Sequence, residues 1–161
     1  MVSCGKSDVD FLSPQPEFVD ALIEIPKEYR GEFRIDGDTH IVTRNTVDGI
    51  SISEDSVVVK ERGSYFYVNT INKNGFYNLA IVRRVNFLNH ESISLYIPQF
   101  NCRVDNLDDA SDHLKLFKFV GSPLDNLNDT VNPALVLEDV TVNQLSILTN
   151  SSKKYKVVRI K

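Results

Sequence analysis

Tight-turn signals recur along the middle of this chain and divide it into short segments that suit a pleated sheet. Asp36-Gly37, Asp48-Gly49 and Asn72-Lys73-Asn74-Gly75 each supply glycine where a close reversal needs positive φ. Around them lie Gly49-Ile50-Ser51-Ile52-Ser53, Val57-Val58-Val59, Tyr65-Phe66-Tyr67-Val68, Tyr77 to Val85 and Ile93 to Ile97. These are rich in β-branched and aromatic residues, the types that pack on a half-buried pleated surface. Ile50 and Ile52 share one face and Ser51 and Ser53 the other, while Ile93, Leu95 and Ile97 alternate with Ser94 and Tyr96 until Pro98 ends pairing. From Tyr77 to Val85 both faces carry apolar residues, which predicts a central or bent strand covered on both sides.

The ends of the chain read differently. Residues 1–15, with Ser3, Gly5, Ser7, Ser13 and Pro14, show little apolar periodicity and predict a flexible tether. Ser13-Pro14-Gln15-Pro16-Glu17 has the form of a helix entry, and Phe18, Ala21, Leu22 and Ile25 follow at helical spacing before Pro26. Beyond Arg103 the pattern suits a helical turn over 107–112, a strand over 114–120 and a polar loop over 122–133. Thr141-Val142-Asn143-Gln144 has the form of a capping box, with Val142, Leu145 and Leu148 as the buried stripe of the helix it opens. Tyr155 to Ile160 reads as a last strand. The expectation is a mainly β fold: one β-rich domain over 16–161, an antiparallel meander forming a barrel or strongly curved sheet. A short N-terminal helix and a late helix before the last strand complete it.

Composition sets limits on function. With 161 residues, 42% hydrophobic and 25% charged, the chain can build one core without metal or disulfide staples. A net charge of -4 argues against a nucleic-acid partner, which needs a concentrated cationic surface. The basic group Lys153-Lys154-Tyr155-Lys156 with Arg159 and Lys161 is read as a charged edge strand that resists stray pairing. No apolar run reaches the roughly 18–20 residues that cross a bilayer.

Chemistry-bearing patterns are few. His40, His90 and His113 lie far apart with no His-x-x-x-His pair, and Asp36-Gly37-Asp38-Thr39-His40 reads as a polar hairpin turn rather than a metal site. Asp105, Asp108, Asp109, Asp112 and His113 lack the spacing and central glycine of a calcium loop, and read as a solvated face. Gly63-Ser64 and Gly121-Ser122 lack the second glycine of a nucleophile elbow. Glycine-rich phosphate and dinucleotide loops are missing, so no cofactor and no catalytic residue is assigned. Carboxylates for hydrolysis would have to come from Glu54, Asp55, Glu61 or Glu91, and nothing in the sequence selects a pair. Tyr65, Tyr67, Phe76 and Tyr77, with Phe66, are the candidates for a ligand surface, weighed against cross-strand packing.

Cys4 and Cys102 are too few for a disulfide framework. Val2-Ser3-Cys4-Gly5-Lys6-Ser7-Asp8 resembles the end of a bacterial lipoprotein signal, in which an acylated Cys4 is followed by a polar tether. The order of a helix, Ile25-Pro26-Lys27-Glu28-Tyr29-Arg30-Gly31-Glu32-Phe33, hairpin strands, a late helix and a last strand is similar to small lipocalin-like lipoproteins of Gram-negative envelopes. In that family a Gly-x-Trp element closes the base of the barrel, and Gly31-Glu32-Phe33 stands at the corresponding place with Phe for Trp. The resemblance implies a non-enzymatic cell-envelope protein, anchored through Cys4 and facing the periplasm or exterior, that holds a small apolar ligand or meets another envelope protein. The alternatives are a soluble, cytoplasmic interaction module that offers a strand edge to a partner, and a carboxylate-dependent hydrolase.

Overall fold

The computed structural model describes residues 6–101, 116–120 and 135–161. Its elements in chain order are β1 (Lys6–Phe11), a 3₁₀ turn (Lys27–Tyr29), β2 (Gly31–Ile35), β3 (Asp38–Val42), β4 (Thr46–Val47) and β5 (Ile50–Ser51). There follow β6 (Val57–Arg62), β7 (Tyr65–Ile71), β8 (Tyr77–Phe87), β9 (His90–Ile97) and β10 (Gln99–Asn101). The chain ends with β11 (Lys118–Phe119), β12 (Leu135–Glu138), a helix α1 (Val142–Ser151) and β13 (Lys153–Arg159). The expected turn over 107–112, the first two residues of the expected strand over 114–120, the whole loop over 122–133, and both cysteines lie outside the described residues.

The hairpins form where glycine allows them. Asp36 and Gly37 take φ of 50° and 87° between β2 and β3, and Asp48 and Gly49 take 51° and 80° between β4 and β5, the paired positive values of a two-residue hairpin turn. The β8–β9 reversal has no glycine: Leu88 and Asn89 adopt φ of 48° and 62°. Strands β6 to β9 make an antiparallel meander. β8 is central as expected, with β7 along one edge and β9 and β1 sharing the other.

Four expectations need correction. The segment before Pro26 is not helical. Its amides serve the sheet instead: Leu22 N donates to the Val59 carbonyl and Ile25 N to the Arg44 carbonyl, each at 2.8 Å. Side chains follow suit: of the expected stripe, Ile25 is fully buried while Phe18 is 55% exposed and Ala21 is exposed, so these residues do not share one buried helical face. Secondly, residues 6–11 of the expected tether form β1, parallel to β12 and antiparallel to β10 and β8, with Val9 and Phe11 buried. Thirdly, β13 is not an edge strand. It lies between β9 and β2, hydrogen-bonded on both sides, and buries Val157 while its lysines face outward. Finally, the ladders make a mixed sheet that does not close into a barrel. β5 and β6 meet only through an isolated Ile52–Val57 bridge, and residues 22–25 bond across the gap between β6 and the β3–β4 turn.

Two apolar layers lie on opposite faces of the sheet. On one, Leu79 and Ile81 of β8 and Tyr67 of β7 pack with Phe11, Leu135, Leu137, Leu145 and Leu148. The last two belong to α1, whose capping box is formed as the sequence predicts, with Thr141 Oγ1 accepting from Gln144 N and Gln144 Oε1 from Thr141 N. Burial of this stripe docks the helix on the sheet. On the other face Val57, Val59, Phe66, Val68 and Val82 pack with Ile25, Tyr29, Val42 and Val47, so strands from both ends of the order share one interior. The sheet therefore curls around that face.

Candidate functional site

The curled face bounds a half-open apolar cavity of about 250 Å³. Period-two alternation puts its lining there: Phe33 and Ile35 on β2, His40 and Val42 on β3, Phe66, Val68 and Thr70 on β7, and Ala80 and Val82 on β8. Ile93 and Leu95 of β9 and Val157 of β13 complete the wall. One end is floored by Tyr29, whose ring stacks on Phe66 at 4.5 Å between centroids. Burial, with Glu61 and Glu28 nearby, pushes the Tyr29 hydroxyl above its ordinary pKa, so it stays protonated and neutral.

Polar groups enter the lining away from that floor. Moving from the Tyr29–Phe66 stack, β7 presents Val68 and then Thr70, and β3 presents Val42 and then His40. His40 Nδ1 lies 2.8 Å from Asp48 Oδ2, and Asp48 Oδ1 accepts the Ile41 N–H at 2.8 Å. Asp48 can reach both because it leads the β4–β5 turn in a left-handed conformation.

Beneath the β2 end, Arg159 lies 4.7 Å above the Phe33 ring and donates from Nε to Glu91 Oε1 at 2.8 Å. The same guanidinium donates to the carbonyls of Arg30 and Glu28, and Glu91 also accepts from Arg84 Nε at 2.7 Å. Gly31 is required here because an added Cβ would meet the Lys161 carbonyl, and its φ of 140° suits glycine alone.

Of the aromatic residues singled out from sequence, Phe66 lines this cavity, whereas Tyr65, Tyr67, Phe76 and Tyr77 do not. Tyr65 and Tyr67 point to the opposite face and line a groove of about 380 Å³ against α1, with Arg62, Ser64, Ser146 and Thr149. Tyr67 is buried there, and Tyr77 packs against the same apolar layer. Phe76 sits in the β7–β8 turn, its N–H bonded to Asn72 Oδ1. Cys4 lies outside the described residues. Of the carboxylates considered for hydrolysis, Glu54, Asp55, Glu61 and Glu91, none lines the cavity; among the described residues the carboxylate that does is Asp48.

Sequence parity held the missing signal. Phe66 alternates with Tyr65 and Tyr67, so these rings cannot share a face, and the apolar partners of Phe66 are Val68, Ala80 and Val82. Sequence proximity groups His40 with Asp36 and Asp38, yet its partner is Asp48, eight residues on and past a second reversal.

An open, curled antiparallel-rich sheet with an apolar interior and one imidazole–carboxylate pair in its lining is the class of molecule these features define. No protein-family model, curated protein or solved structure matches the chain.

Proposed function

We propose that this protein is a non-enzymatic binding domain that holds a small apolar ligand on the curled face of its sheet. The observation that carries the reading is the cavity of about 250 Å³ bounded by Phe33, Val42, Phe66, Val68, Val82 and Leu95. An apolar cavity of about 150 Å³ accepts benzene, whereas most small-molecule sites run to roughly 300–1,000 Å³. The ligand is therefore a single ring or a short chain. The curled sheet is read as an incomplete lipocalin-like barrel whose open side is filled by residues 22–25. Support comes from Gly31-Glu32-Phe33, which opens β2, places Phe33 in the lining and lies under Arg159. In the same reading Cys4 is acylated and hangs the domain on the bacterial envelope.

Titration with toluene, followed by methyl NMR at Val42, Val68, Val82 and Leu95, tests the binding reading. Saturable shifts at these methyls are expected, and Ala80→Phe, which fills the cavity, should abolish them. Shifts scattered over the surface, or none, refute it. The anchor is tested separately by fatty-acid labelling of the protein in a Gram-negative host. Labelling should be lost in Cys4→Ser, and an unlabelled parent protein removes the anchor while leaving the binding reading in place.

A further inference from the structure

We infer that the His40–Asp48 pair selects the ligand's polar group, so that the cavity takes a neutral apolar molecule carrying one hydroxyl. The inference rests on the binding reading above and deepens it. Position 40 faces Phe33 across the β2–β3 ladder and is followed on the same face by Val42, so the pattern around it calls for an apolar residue. A half-exposed imidazole stands there instead, at the end of the cavity away from the Tyr29–Phe66 floor. Its carboxylate partner determines what it can do. Asp48 accepts the Nδ1–H, so a singly protonated ring keeps Nε2 as a bare acceptor. Asp48 is itself held by the Ile41 amide, which fixes the direction of that acceptor.

An acceptor in an apolar lining recognises a donor. A hydroxyl supplies one, an ether or a plain hydrocarbon supplies none, and a carboxylate would meet the Asp48 charge. Thr70 Oγ1, in the same lining on β7, makes no hydrogen bond to the described residues and is placed to take or give a second one. The rest of the lining contributes contact area and excludes water. Discrimination then falls on one hydrogen bond, because a hydrocarbon that covers the partly exposed Nε2 takes away its water and offers no donor in return.

Four probes of similar size separate the claims: toluene, phenol, anisole and benzoate, titrated at pH 8 by calorimetry and by methyl NMR. Phenol should bind about tenfold more tightly than toluene or anisole, and benzoate more weakly than all three. His40→Leu should bring phenol to the level of toluene while leaving toluene bound. In the unmodified protein, ¹⁵N NMR should show His40 Nε2 unprotonated before titration and shifting on phenol addition but not on toluene addition. That last measurement decides the matter even where His40→Leu fails to fold. Equal binding of phenol and toluene, a phenol preference that survives His40→Leu, or an Nε2 signal indifferent to phenol overturns the inference and leaves the apolar-ligand reading standing. Failure of toluene and phenol alike to bind overturns both.

Discussion

Asn69 lies fully buried on β7, where its Oδ1 accepts the Gln15 N–H at 2.7 Å and its Nδ2 donates to the carbonyls of Gln15 and Val58. Lys60 works beside it, reaching the Pro14 and Pro16 carbonyls at 3.1 and 2.8 Å, and burial lowers its pKa. Together they tie down a segment that has no ladder of its own. Asn69→Leu leaves the buried Gln15 N–H and C=O unmet, so urea unfolding should show a loss of about 2–4 kcal/mol; a loss below about 1 kcal/mol would mean that water replaces the amide. Glu91 behaves differently because it titrates. The Arg159 guanidinium bonded to it holds its carboxyl below the ordinary range, with Arg84 adding and desolvation opposing. Its folded pKa is depressed, so its contribution is present above the unfolded glutamate value and is lost as pH falls through the folded one. Glu91→Gln should therefore lower the urea midpoint at pH 7 and flatten its decline across the acid range. An unchanged slope there would assign the acid sensitivity to other carboxylates.

Hairpin tips show how far local sequence specifies an element. Asp36-Gly37 and Asp48-Gly49 were legible because glycine relieves the second positive φ, and both turns formed. Leu88-Asn89 was illegible as a two-residue turn: leucine at φ 48° is sterically disfavoured, and the strands β8 and β9 impose it through a seven-pair ladder. Leu88 is also 77% exposed, so its side chain returns little for the strain. Replacing the pair with Asn-Gly, by Leu88→Asn and Asn89→Gly, should raise stability by about 1 kcal/mol, measured by thermal and urea unfolding. No gain would show that the Leu88 side chain packs usefully after all. The capping box of α1 was equally legible, since Thr141 and Gln144 act within four residues. The segment over residues 16–25 was not, because its spacing of Phe18, Leu22 and Ile25 imitates a helix while its amide partners, Val59 and Arg44, are decided only by tertiary folding.

At the scale of the molecule, the mainly β character could be read from alternation, and the location of the cavity could not. Pairing brings Phe33, Val42, Val82 and Val157 together from four strands, and only register across β2, β13 and β9 says that they meet. Gly31 guards that register where β2 leaves the 3₁₀ turn against the Lys161 carbonyl. Gly31→Ala should cost about 1–3 kcal/mol and release the last residues, seen as faster hydrogen exchange at Glu32, Ile160 and Lys161. Unchanged exchange would show that the approach relaxes without parting the strands. The position of β13 has a further effect on how the chain is made. Because among the described residues it is the strand that bridges β9 and β2, a nascent polypeptide carries two bare rows of backbone donors and acceptors until residues 153–159 leave the ribosome. Translation that stops short of them yields sticky open-edged chains rather than a smaller working fold.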